Sequence, residues 1–523
     1  MPLSYPTLPG DIDHLIADDH AVVERQFQFL EEGRGDRHVL VEQVAFELAL
    51  HADAEERVLY PAMAQAGEAY EAEEARDEHQ EAKELLVTLS NTQPGEPEFE
   101  EALARLIVAI RRHVADEEQR NLPRFRQAVG PEQMAELGKE FLAAKRAAPS
   151  FAHPNAPSGG TGHKLLDAGV KLVDKIRDKA SGRSKHLATD PSGVLDAQAQ
   201  RLLDAFAALE PQPLEILEPQ QARREPTPAD AVRTILREDG RSTEPEPVGH
   251  VEDITIPGPG GELSVRVYTP AMATVVEGPL PIVMWIHGGG WVLSSVETYD
   301  ASCRGVANKA CAIVVSPEYR RAPEHVFPAS HDDVLAAYLW TRDNAERLGG
   351  DPARIAIGGE SVGGNMAAAT CLQLARAGEP LPVAQVLVYP LTTGEQFGES
   401  MSDAADARPL NRPLLSWMAM YAFEGVPEAA TDPRVDLLSV PIEQLAGMPP
   451  TLVITGERDV LREQGEEFAR HLRAAGVPVT ATRYDGVMHE FFGAAAVLDK
   501  AELAQREAAE HLRRNFTAPL TAR

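Results

Sequence analysis

Three cysteines in 523 residues, Cys303, Cys311 and Cys371, are too few for a disulfide framework and lack metal-ligand spacing. No uninterrupted apolar run reaches the ~18 residues that suggest a membrane span, so no integral membrane segment is expected. The first residues, MPLSYPTLPGDIDHLIADDH, carry no basic start followed by an apolar core, so no signal peptide is expected either. A reducing, cytoplasmic setting fits these absences. Positive charge is also scarce. Fifty Lys and Arg against 81 Asp and Glu leave a formal charge of −31. Phosphate contacts require clustered Lys and Arg, which argues against a nucleic-acid partner. The acidity itself keeps a chain soluble and leaves cation binding open.

The length exceeds what one compact core serves, which predicts more than one domain. The first 150 residues read as helix almost throughout. Apolar residues recur at helical spacing, as at Leu40, Val44 and Leu48, then Leu85, Leu86 and Leu89. Breaks at Gly33/Gly35, Gly67, Asn91–Pro97 and Pro123–Gly130 predict helices over roughly 11–31, 37–66, 69–90 and 98–127, with a fifth near 131–147. Short connections between long helices predict an antiparallel four-helix bundle. Residues 151–191 read as a linker, HPNAPSGGTG, followed by a basic amphipathic helix that rests on an acidic neighbour or on a membrane.

From residue 192 to 523 the pattern changes to alternating strands and helices. PIVMWI, AIVVS, RIAIGG, AQVLVYP, TLVITG and TATRYDG read as strands, and the order predicts an α/β domain with a mostly parallel sheet.

Within the helical part, HADAEE at 51–56 and HVADEE at 113–118 each place a glutamate four residues after a histidine. On a helix, positions i and i+4 share a face, so each pair can offer an imidazole and a carboxylate to one cation. A lone pair of this kind is usually a solvated surface pair. Here the spacing repeats, because His20 and His79 are 59 residues apart and His51 and His113 are 62 apart. Four histidines and two carboxylates exceed what tetrahedral zinc uses and suit two carboxylate-bridged irons. A ferritin-like centre would need Glu-x-x-His, which none of these histidines has. His14 is off this face and reads as solvated.

LIADDH, HADAEERVLYPAM, DEHQEAKELL and HVADEEQRNLPRF resemble the hemerythrin-like (HHE cation-binding) domains over about residues 11–128. The resemblance implies a non-haem di-iron site with His20, His51, Glu55, His79, His113 and Glu117 as ligands, Glu55 and Glu117 bridging. Oxygen-carrying members have another histidine where this chain has Ala75. That place is then open, filled by water, or taken by Glu74 or Glu78. The departure weighs against simple oxygen carriage and leaves O2 or NO sensing and redox chemistry as the alternatives.

In the second part, Gly359-Glu360-Ser361-Val362-Gly363 lies between a strand and a helix. Such a turn pushes a serine hydroxyl out above the sheet. Serine needs a base and the base an orienting acid, in chain order Ser, Asp, His for this fold. His489 and Asp459 fill those places, with Glu457 and Glu463 as competing acids. In HGGGW, the amides of Gly288 and Gly289, with that of Val362, suit an oxyanion. His287 reads as a brace for this loop rather than a second base.

HGGGW, G-x-S-x-G, YRRAPEHVFPAS and MPPTLVITGERD resemble the hormone-sensitive-lipase-like α/β-hydrolases over about residues 192–515. GESVGG stands where that family usually has Gly-Asp-Ser-Ala-Gly-Gly, and Arg321 replaces a common leucine. The resemblance implies a carboxylic-ester hydrolase for short or medium acyl chains, capped by residues 192–240 and 391–447. Two functions follow as expectations: an esterase fused to a di-iron bundle, or a gas- or redox-sensing bundle whose hydrolase half responds or serves as scaffold.

Overall fold

The computed structural model describes residues 3, 5–148, 189–275 and 277–517. Most of the predicted linker and all of its basic helix lie outside the described residues. The chain forms two compact units. The first comprises residues 1–193 with 210–218 and 412–417, and the second 194–209, 219–411 and 418–523. Segments 210–218 and 412–417, expected in the hydrolase cap, thus group with the first unit.

The first unit is helical. Helix α1 runs Ile12–Glu32 and stops at Gly33, whose left-handed φ of 65° lets its amide reach back to Leu30. Asp36 restarts the chain by accepting hydrogen bonds from the amides of His38 and Val39, and α2 follows over Arg37–Ala54. Helices α3 (Tyr60–Gln65), α4 (Ala69–Asn91), α5 (Pro97–Asp116), α6 (Leu122–Val129) and α7 (Pro131–Ala147) complete it. Proline opens α5 and α7, where its missing N–H costs nothing. Phe27, Leu40, Val44, Leu86, Leu103 and Leu106 belong to one buried cluster at the bundle's centre.

Two single π turns interrupt this regularity. Glu55–Leu59 joins α2 to α3, and Glu117–Asn121 joins α5 to α6. A proline follows each, Pro61 and Pro123, at the start of the next helix. Proline cannot donate to the carbonyl four residues back and its ring crowds that oxygen, so the wider turn accommodates it. Each π turn begins at a glutamate of the repeated motif.

The second unit is built on an eight-stranded sheet in the order β1-β2-β4-β3-β5-β6-β7-β8. The strands are β1 (His250–Gly258), β2 (Gly261–Thr269), β3 (Leu280–Ile286), β4 (Ile313–Pro317), β5 (Gly350–Glu360), β6 (Gln385–Val388), β7 (Thr451–Arg458) and β8 (Val479–Met488). Pairs β1–β2 and β2–β4 are antiparallel and the rest parallel. Helices α8 (Asp300–Ala310), α9 (Ala329–Asp343), α10 (Val362–Ala377) and α11 (Arg462–Ala474) lie between strands, and α12 (Asp499–Phe516) follows the last one. The central strands are buried on both faces, as their unbroken apolar runs predict. The β1–β2 hairpin was not among the expected strands. No described helix is long and apolar enough to cross a membrane.

Candidate metal centre and candidate active site

The six histidines and glutamates singled out in the first unit are all buried and meet at its centre. Ligand atoms of His20, His51, Glu55 and Glu117 form one group within 4.8 Å of one another, and those of Glu55, His79 and His113 a second. Glu55 spans the two, with Oε1 3.2 Å from His51 Nε2 and Oε2 3.2 Å from His79 Nε2. Glu117 Oε2 lies 3.6 Å from His20 Nε2 and 3.5 Å from His113 Nε2.

These inward atoms do not satisfy one another. His20 Nε2, His51 Nε2, Glu55 Oε1 and both Glu117 oxygens are buried without a hydrogen-bond partner. Leaving a buried polar group unpaired costs roughly 1–3 kcal/mol, so five together are hard to explain without a ligand. Burial opposes charge on both carboxylates. Even so, His51 and His79 hold Glu55 well below the usual carboxylate range. Burial and the charge of Glu55 push Glu117 up to about 8. A cation between them relieves both penalties, and the donor set of imidazole and carboxylate suits iron.

The outer nitrogens explain why the inner ones face inward. His20 Nδ1 is 3.0 Å from Glu118, His51 Nδ1 3.0 Å from Asp19, His79 Nδ1 3.4 Å from Glu56 and His113 Nδ1 2.9 Å from Glu78. A carboxylate on one ring nitrogen fixes the tautomer and raises the basicity of the other. Asp19 is in turn held by Lys145 of α7, at 2.7 and 2.8 Å.

Neither carboxylate considered for the place left by Ala75 takes it, because Glu74 is exposed and Glu78 serves His113 from outside. On the inner side, the hydroxyl of Tyr60 donates to Glu55 Oε2 at 3.1 Å and lies 3.1 Å from His79 Nε2. Sequence reasoning missed Tyr60, Asp19, Glu56 and Glu118, and it gave the fourth outer acid, Glu78, a different role. His14 is not merely solvated either, since its ring contacts Thr7 and Ser416 at 2.9 and 3.1 Å.

In the second unit, Ser361 sits between β5 and α10 with φ 57° and ψ −122°. A left-handed φ in a non-glycine residue is strained, and the crowding of this turn sustains it. A methyl group on Gly363 would collide with the carbonyl oxygen of Ile286. Asp459 follows β7 and His489 follows β8, and their Oδ2 and Nδ1 atoms are 2.7 Å apart. The amide of Leu461 fixes the other Asp459 oxygen at 2.9 Å. Burial opposes a charged imidazole. Asp459, through its charge and hydrogen bond, nonetheless raises the pKa of His489 above its usual value, with Glu490 and Glu360 adding to it. The competing acids are engaged elsewhere, Glu457 with the Gly486 amide and Glu463 with that of Ser400. No hydrogen bond among the described residues joins the Ser361 hydroxyl to His489, and such contacts often tighten only around a substrate.

The HGGGW loop follows β3. Tyr319 donates to the carbonyls of His287 and Gly288 at 3.1 and 3.0 Å, and its ring stacks on His287 at 4.1 Å. The Val292 and Leu293 amides close on the Gly289 carbonyl. These contacts fix the backbone of the loop. His287 Nδ1 donates to Gly288 O, and burial pushes this imidazole down to about 4, so it is a neutral brace. Glu360 is buried beneath the serine, accepting from Trp285 Nε1 at 3.0 Å and Tyr389 at 2.5 Å; burial, with Glu490, pushes it up to about 7.

Residues 283–493 match the model of an alpha/beta hydrolase fold family, and residues 11–125 match that of the hemerythrin HHE cation binding domain. The carboxylesterase NlhH of Mycobacterium tuberculosis is 38% identical over 297 residues, 56% of this chain and 92% of that protein. The carboxylic ester hydrolase LipN of the same organism is 37% identical over 47% of this chain, which spans 66% of LipN's length. Among solved structures, an esterase of Pyrobaculum calidifontis is 37% identical, with a TM-score of 0.52 over 58% of this chain and 95% of its own. A thermostable esterase from Pseudomonas putida is 31% identical, with a TM-score of 0.55 over 63% of this chain and 100% of its own.

Proposed function

Because this chain belongs to the alpha/beta hydrolase fold family and carries a hemerythrin HHE domain, we propose that it is a serine carboxylesterase fused to a di-iron-binding bundle. Residues 1–150 form the metal-binding part on this reading, 151–191 the linker and 192–523 the hydrolase. The observation that carries the hydrolytic reading is the 2.7 Å contact between Asp459 and His489, in a fold that presents Ser361 on a strained turn.

Ser361 Oγ attacks the ester carbonyl while His489 Nε2 takes its proton. Asp459 keeps the Nδ1 proton in place and steadies the imidazolium. The amides of Gly288, Gly289 and Val362 receive the oxyanion; losing one such donor typically costs roughly 100- to 1,000-fold in rate. The imidazolium returns its proton to the departing alcohol, leaving an acyl-serine. Water, deprotonated by the same imidazole, then releases a short or medium-chain acid.

In the bundle, His20, His51, Glu55 and Glu117 would hold one iron, and Glu55, His79 and His113 the other. Bound there, such a centre supplies redox chemistry or the binding of O2 or NO.

Turnover of short p-nitrophenyl esters, abolished by Ser361→Ala, tests the hydrolase. Folded wild-type protein inert on every acyl length would overturn it. Metal analysis of purified protein tests the bundle, where two irons per chain are expected.

A further inference from the structure

The residue after the proposed catalytic histidine is Glu490, which has a left-handed φ of 67°. A non-glycine residue in that region needs something to hold it. Its Oε1 accepts a hydrogen bond from the hydroxyl of Tyr299, a buried residue just before α8. That hydroxyl packs against Gly288, where any Cβ would collide with it, and the same Cβ would lie 3.1 Å from the Ser361 Cβ. One hydrogen bond therefore ties the turn carrying His489 to the floor of the oxyanion loop.

The largest charge effects on the imidazole come from three acids. Asp459 comes from the end of β7, Glu360 from the end of β5 and Glu490 from the histidine's own turn. Tyr389, which follows β6, lays its ring 4.4 Å from that of His489 and donates its hydroxyl to Glu360.

We propose that Glu490 is a positioning residue for ester hydrolysis: through Tyr299 it sets the histidine turn against the oxyanion loop, and its carboxylate steadies the imidazolium formed as Ser361 loses its proton. This rests on the serine-hydrolase reading. The two roles separate by substitution. Glu490→Gln keeps an acceptor for Tyr299 but removes the charge. Tyr299→Phe removes the hydrogen bond and leaves the charge.

The test is the pH profile of kcat/KM on a short p-nitrophenyl ester, with the His489 imidazole titration followed by NMR in the same proteins. Glu490→Gln is expected to move the acid limb and the imidazole titration together to lower pH, by about 0.5 unit or more. Tyr299→Phe is expected to lower kcat about 10-fold with KM within two-fold, the mark of lost alignment. A Glu490→Gln titration that superimposes on wild type overturns the proposal. So does a Tyr299→Phe kcat within two-fold of wild type, whatever happens to its Tm. An inert wild-type protein removes the hydrolase reading and this inference with it, and the activity of the unmodified protein distinguishes that result from the other two.

Discussion

Each imidazole of the candidate metal centre is gripped from behind by an acid, and those acids sit beside the proposed ligands in the sequence: Asp19 precedes His20, Glu56 follows Glu55, Glu78 precedes His79 and Glu118 follows Glu117. None serves its own neighbour. Adjacent helical residues point about 100° apart, so an acid next to a ligand reaches a different helix. This crossing is why the supports were harder to read from the sequence than the candidate ligands. Glu78→Gln should weaken iron binding about 10- to 100-fold in titrations of the metal-free protein, with the helices intact by circular dichroism. Lys145 makes a sharper case. Against the effect of burial, its charge holds Asp19 below the ordinary carboxylate range. The stability this gives is present above the unfolded Asp pKa of about 3.9 and is lost as pH falls through the lower folded value. Lys145→Met should cost up to about 3–5 kcal/mol at neutral pH in denaturant melts, because buried Asp19 is left with only the His51 imidazole beside it. Adding Asp19→Asn should recover part of that loss. At the other centre, Asp459→Asn should reduce kcat by roughly 10⁴-fold with little change in fold, because His489 loses its tautomer. In the wild type, kcat/KM should rise with pH through the raised pKa of His489, above about 6.5, since only the neutral imidazole accepts the serine proton.

Elements were easiest to foresee where one period dominates. With each run through a π turn counted as one helix, the bundle helices fall within two residues of expectation, because the apolar spacing and the Gly and Pro breaks agree. The π turns were invisible, since His-x-x-x-Glu ends where the wide turn begins and looks the same whatever follows. Six of the eight strands were legible as short β-rich runs. The β1–β2 hairpin was not, because β1 is exposed along most of its length and offers little apolar signal. The G-x-S-x-G turn announced itself, though the crowding that enforces it appears only in three dimensions. Gly363→Ala should abolish ester turnover and cost at least about 1–3 kcal/mol, because its methyl meets fixed backbone rather than a movable side chain. Thermal melts alongside the assay would check it.

For the whole molecule, the proposed hydrolytic residues all lie in the second unit and the proposed metal ligands all in the first. Removing iron with a chelator should therefore lower the melting of the helical unit while ester turnover stays within about two-fold. A metal at 1,000 times its Kd stabilises by about 4 kcal/mol, enough to be seen by calorimetry. Turnover that follows metal loading or oxidation state would instead establish communication between the centres. Within the bundle, the arrangement of Glu55 and Glu117 reaches further. Each begins on one helical hairpin and extends an oxygen to a histidine of the other: Glu55 to His79, and Glu117 to His20. A hairpin by itself thus owns only part of either socket. A cation bound there would act as a rivet through two plates, held in full only where the plates overlap.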